Sequence, residues 1–158
     1  MFIILLLSIL LTPSAVESKT PNVPYYMYTA ANAFQIDIAL LYAICSVESK
    51  CKPGSINKDD ATKYKKSLGV VEHSLGMFQI KLATAKSLGF KGSKKELMKS
   101  ETNTWYAAKL IDHLYTRYNH DTIKVISAYN AGRYTKCNKK YVNLVLEHYA
   151  RYKLDKRF

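Results

Sequence analysis

The chain has 158 residues, with 24 Lys and Arg against 12 Asp and Glu and a formal charge of +12. A core of this size buries about 68–70% of the surface exposed by the unfolded chain, so one compact domain is expected and a multidomain reading of these residues is excluded. The charge directs the surface toward polyanions, but no recognition motif or phosphate-binding spacing accompanies it, and nucleic acid is not the expected partner.

Residues 2–11 form an apolar run too short to span a bilayer comfortably, followed by Pro13, Ser14 and Ala15. This reads as a secretion signal over residues 1–18, cleaved after Ala15 or Ser18, although no Lys or Arg precedes the run. An uncleaved anchor or a buried terminal helix is the alternative, and either outcome places the remainder outside the cytoplasm. Residues 19–24 are a linker punctuated by Pro21 and Pro24. Residues 25–34 suit a first helix. Asp37 is a good N-cap for a second, in which Ile38, Leu41, Ile44 and Cys45 recur at helical spacing.

Glu48 falls near the end of that second helix, four residues after Ile44 and three after Cys45, close to the apolar face. Partial desolvation there raises a carboxyl pKa and keeps the group protonated at neutral pH, as a general acid requires. The alternative is an ordinary helix-end carboxylate. Cys45 and Cys51 bracket Glu48, and Cys137 makes the cysteine count odd. Six residues of continuous helix rise about 9 Å, too far for a disulfide, so a 45–51 bridge needs the chain to fold back after Lys50. Pairing of Cys45 with Cys137, or a buried free Cys45, remains open.

Residues 52–74, with Pro53, Gly54, Asn57 and several charges, read as a long loop. A short helix over 79–88, ended by Gly89, comes next, and Ser93 opens another through Lys99. A longer helix over 102–118 carries Trp105, Ala108, Ile111, Leu114, Tyr115 and Tyr118 on one stripe, and Asp121 caps a helix to about Tyr129. The last helix holds Tyr141, Val142, Val145, Leu146, Tyr149 and Tyr152. No strand alternation stands out, so the fold class is mainly α. His73, His113, His120 and His148 are scattered, with no metal-ligand spacing.

Four separated pieces belong together: Glu48-Ser49, Gly76-Met77-Phe78-Gln79-Ile80, Asn103 with Trp105, and Ala128-Tyr129-Asn130-Ala131-Gly132. In this order and spacing they resemble the lytic transglycosylase domain related to goose-type lysozyme, over roughly residues 30–152. The resemblance implies a lysozyme-like single domain over 25–158 with a glycan-binding groove. It makes Glu48 the catalytic glutamate and brings the hydroxyl of Tyr129 near that carboxylate. It gives Gln79, Met77, Phe78 and Asn130 to the substrate groove, Gln79 by hydrogen bonding and Met77 with Phe78 as an apolar wall. Asn103 is then a structural residue at a helix start, and Tyr141, Val142 and Tyr149 belong to the closing helix. A serine near the substrate is assigned to Ser74, with Asn57 and Ser67 as alternatives.

The resemblance further implies a peptidoglycan substrate, a monomer acting without metal or organic cofactor, and a place in the periplasm or cell envelope. Settings on offer are a secretion, pilus or conjugation apparatus, or phage delivery. Most glycosidases use two carboxylates, whereas one suffices when the C6 hydroxyl of N-acetylmuramic acid supplies the nucleophile. The rivals are a goose-type hydrolytic muramidase on the same fold and a non-catalytic peptidoglycan-binding assembly protein.

Overall fold

The computed structural model describes residues 23–57 and 72–155. Within them lie seven helices and a small sheet: α1 (Tyr25–Ala33), α2 (Ile38–Ser49), β1 (Ile56–Asn57), β2 (Ser74–Leu75), β3 (Ile80–Lys81), α3 (Leu82–Ser87), α4 (Lys94–Leu97), α5 (Ser100–Arg117), α6 (Thr122–Ala131) and α7 (Lys139–Leu154). The expected signal and most of the linker fall outside the described residues, as do 58–71.

Helix α2 is apolar nearly all round. Ala39, Leu40, Leu41, Ala43, Ile44 and Cys45 are all buried, which is the pattern of a helix enclosed by the rest of the core. It packs chiefly on α7, while α5 bridges α1 and α6. Asp37 caps α2 as its sequence position suggests, its Oδ1 accepting from the Ala39 N–H at 2.9 Å. The other end is closed by two successive left-handed residues, Lys50 (φ 57°) and Cys51 (φ 53°). The Lys50 N–H donates to the Ser46 carbonyl and the Cys51 N–H to the Cys45 carbonyl. This reversal brings the Cα atoms of Cys45 and Cys51 to 4.9 Å, and the two form a disulfide. Cys137 is the free thiol. A bridge along the helix is indeed out of reach; the chain folds back instead.

Three expectations about local structure are corrected. The ends of the long loop pair with the following segment in an antiparallel sheet of order β1-β2-β3, with Asn57 opposite Ser74 and Leu75 opposite Ile80. Strands two residues long leave no alternation to read in a sequence. Gln79 is not helical: it has φ 52° and closes a turn onto Gly76, and α3 begins only at Leu82. Glu72 has a defined task there, accepting from the Ala83 N–H at the start of α3. Ser93 does open α4, in a capping box with Glu96, but α4 stops at Leu97 and α5 starts at Ser100. Asp121 caps α6 through the Lys124 N–H at 3.0 Å. That helix runs past Tyr129 to Ala131 and ends on left-handed Gly132.

Candidate active site

A cleft of about 460 Å³ opens between the end of α2, the sheet and helices α5 and α6. Glu48, Asn57, Ser74, Gln79, Ile80, Lys81, Thr84, Leu110, Leu114 and residues 128–132 line it. Glu48, half-buried in the last turn of α2, is the one carboxylate among the described lining residues. Asp59 and Asp60 lie outside the described residues, and Glu72 caps α3.

Tyr141, in the first turn of α7, reaches Glu48 and donates its hydroxyl to Oε1 at 2.5 Å. Burial pushes the Tyr141 pKa far above the ordinary 10, and the charge and hydrogen bond of Glu48 push it further. At neutral pH it is therefore a donor. Tyr129 is also enclosed, and burial, then the nearby Glu48 charge, raises its pKa well above 10. Its hydroxyl donates not to Glu48 but to the Phe78 carbonyl at 2.8 Å.

Glu48 is held along the backbone as well. The Ser49 hydroxyl donates to the Met77 carbonyl at 2.7 Å, joining the residue after Glu48 to the Gly76–Ile80 turn. That turn depends on Asn103, which is fully buried in α5. The Asn103 Oδ1 accepts from the Phe78 N–H at 2.8 Å, and its Nδ2 donates to the Leu75 and Leu97 carbonyls at 2.9 and 3.1 Å. Gly76 sits at φ 74°, and a Cβ there would lie 2.4 Å from Asn103 Cγ, so only glycine fits.

The sequence-derived residues divide accordingly. Glu48, Ser74, Gln79, Tyr129 and Asn130 meet at the cleft. Asn57 joins them through its pairing with Ser74, while Ser67 is outside the described residues. Met77 and Phe78, both buried in the core, are not among the residues that line the cleft, and Ile80, Leu110, Leu114 and Ala128 supply its apolar lining. Gln79 Nε2 donates to the Gly76 and Ser55 carbonyls, at 2.7 and 3.3 Å, so its amide oxygen is the atom left for a ligand. Asn130 Oδ1 accepts from Asn138 Nδ2 at 2.8 Å, tying the cleft wall to the start of α7. Tyr141 is the residue that sequence reading placed only in a packing helix. Its sole signal was an aromatic one turn into that helix, on a chain with thirteen tyrosines.

Comparison with known proteins follows this geometry. The family model described as the transglycosylase SLT domain matches residues 25–145. No curated protein sequence matches the chain. Among solved structures, the X-ray structure of an inactive glutamate-to-glutamine mutant of the lytic transglycosylase Slt from Pseudomonas aeruginosa superposes with a TM-score of 0.67. Identity is 17%, and the match covers 85% of this chain but 24% of that one. The mainly α, lysozyme-like architecture is thus shared.

Proposed function

We propose that this chain, which belongs to the transglycosylase SLT domain family and is thereby a peptidoglycan lytic transglycosylase, cleaves wall glycan between N-acetylmuramic acid and N-acetylglucosamine with Glu48 as both acid and base. The observation that carries the reading is the Tyr141 hydroxyl on Glu48 Oε1 at the foot of a cleft whose described lining holds no second carboxylate.

Protonated Glu48 donates its proton to O4, the oxygen joining muramic C1 to N-acetylglucosamine C4, and the C1–O4 bond breaks as positive charge grows on the ring. The muramic C6 hydroxyl then bonds to C1 and returns its proton to Glu48. The products are a 1,6-anhydro-muramic end and a free O4 hydroxyl, with no water consumed and Glu48 restored. Tyr141 fixes the carboxyl while its proton load changes. Tyr129 holds the Phe78 carbonyl and so the Gln79 turn, and Gln79, Ser74 and Asn130 offer polar contacts to sugar hydroxyls and acetamido groups. That a glutamate-to-glutamine mutant of the Slt protein is described as inactive is consistent with a one-glutamate site.

We place the protein in the periplasm or cell envelope. A disulfide at Cys45–Cys51 suits an oxidising compartment, and residues 1–18 fit a removable signal. A role in local wall opening for an envelope-spanning apparatus belongs to the same proposal.

Mass spectrometry of digested peptidoglycan tests the chemistry. Products lighter by one water than their hydrolytic counterparts are expected, and purely reducing ends would refute the internal-hydroxyl step in favour of a hydrolase. Glu48→Gln should abolish both. Wall clearing that persists in that variant would refute the assignment of Glu48.

A further inference from the structure

A second cavity, of about 500 Å³, lies across α5 from the cleft. On α5, Leu110 faces the cleft while Asp112 lines the second cavity, and two residues of helix separate their directions by about 200°. Its other walls are Phe34, Gln35 and Asp37 at the α1–α2 corner, with Tyr115 and His120 at the α5–α6 corner. The size lies within the roughly 300–1,000 Å³ of small-molecule sites.

Both corners hold side chains where glycine would be easier. Gln35 has φ 52° and His120 φ 59°, left-handed positions that disfavour a residue with a Cβ by about 1 kcal/mol or more. Both residues nevertheless keep polar side chains that line the cavity. With Asp112 they make an exposed amide, imidazole and carboxylate, none with a side-chain hydrogen bond among the described residues. Asp37 is different: its oxygens already accept from Ala39 N–H, Tyr149 hydroxyl and Lys153 Nζ. Ala33 and Ile36 add aliphatic wall, and Phe34 and Tyr115 add aromatic rings. Tyr115 stacks on His120 with centroids 5.7 Å apart, and Phe34 is held edge-on by Trp105 at 4.9 Å.

The geometry points to a second saccharide site, which we infer binds one N-acetylhexosamine unit of a neutral glycan stretch. A pyranose sets an apolar face against a ring and directs hydroxyls at acceptors such as Asp112 and mixed groups such as Gln35 and His120. An anion is opposed by Asp112. An ammonium would pair with Asp112 and an aromatic face, but a molecule of charge +12 repels cations on approach. In taking wall glycan as the source, the inference rests on the function proposed above. The consequence is retention: a strand held on the far side of α5 keeps the enzyme on the wall between cuts, raising effective concentration without altering the chemistry.

The test uses the full chain carrying Glu48→Gln, labelled for amide NMR and titrated with tetra-N-acetylchitotetraose. Saturable shifts are expected at residues 33–37 and 112–120 with a dissociation constant of about 1 mM, besides a separate set around Gln79 and Asn130. Adding Asp112→Ala and His120→Gly should weaken the first set at least fivefold and leave the second unchanged. The absence of saturable shifts at 33–37 and 112–120, or equal saturation in the double variant, overturns the site. Tighter saturation of that set by cadaverine than by the tetramer overturns the sugar assignment. Wild-type-like wall clearing by Glu48→Gln would instead overturn the catalytic reading and leave these shifts intact, so the two fail separately.

Discussion

Replacing Asn103 with alanine should unfold the site from behind. The side chain has no access to water and satisfies three buried main-chain groups, the Phe78 N–H and the Leu75 and Leu97 carbonyls. Truncation leaves them without that partner, and an unsatisfied buried group costs about 1–3 kcal/mol. Allowing for second partners on the carbonyls, a loss of about 4 kcal/mol follows, a large part of the roughly 5–15 kcal/mol that holds a domain together. For a chain of this length, at about 2–4 °C per kcal/mol, the melting point should fall by about 8–16 °C. Asn103→Asp is expected to be no better: it keeps an acceptor for Phe78 but turns an oxygen toward two carbonyls. Urea unfolding at neutral pH reads both, and an unchanged slope would confirm a change in stability rather than in the extent of unfolding. A loss below about 1 kcal/mol for the alanine variant would refute the account.

Other outcomes follow from the same contacts. Tyr141→Phe removes a hydrogen bond to a charged group worth about 1.5–3 kcal/mol, so kcat should drop about 10–100-fold with KM changed less than about threefold, measured on solubilised glycan. Reducing the Cys45–Cys51 bridge should lower stability by about 2 kcal/mol, from a loop of six residues' separation, and reductant should leave the melting point of a Cys45→Ala/Cys51→Ala variant unmoved. Tyr149 donates to Asp37 Oδ2 at 2.8 Å, and burial, then this bond, raises its pKa from 10.0 to about 12. A raised pKa means the protonated form is favoured by folding, so its stabilisation is complete below pH 10 and lost as pH climbs through about 12. Tyr149→Phe should therefore flatten alkaline denaturation over that window, and an unchanged alkaline limb would count against the bond.

Local signals were legible wherever neighbours in sequence decide the outcome. Asp37, Ser93 and Asp121 each cap the helix their positions suggest, because a cap is settled within four residues. The apolar stripe of α2 and the placing of Glu48 beside it are equally local. Gln79 is not helical because its N–H closes a turn onto the Gly76 carbonyl, and the turn is held at the Phe78 N–H by Asn103, 25 positions on from Phe78. The Cys45–Cys51 bridge needed two consecutive left-handed residues, neither of them glycine, which composition does not announce. Tyr141 lies 93 residues from Glu48, and on its own helix it looks like any other amphipathic tyrosine.

The Met77–Phe78 pair sharpens what the Gly76–Ile80 segment is for. Gln79 and Ile80 face the cleft, but the Met77 and Phe78 side chains do not, and at those two positions it is the backbone that acts. The Met77 carbonyl receives Ser49, the Phe78 carbonyl receives Tyr129, and the Phe78 N–H is held by Asn103. The segment is thus a bracket joining α2, α5 and α6 behind the cleft, and Gln79 is presented because the bracket turns there. Volume-conserving apolar exchanges such as Met77→Leu should cost under about 1.5 kcal/mol and spare activity. Gly76→Ala drives a Cβ into Asn103 and should disturb fold and cleft together. The asymmetry separates a segment that works through its main chain from one that reads glycan through its side chains.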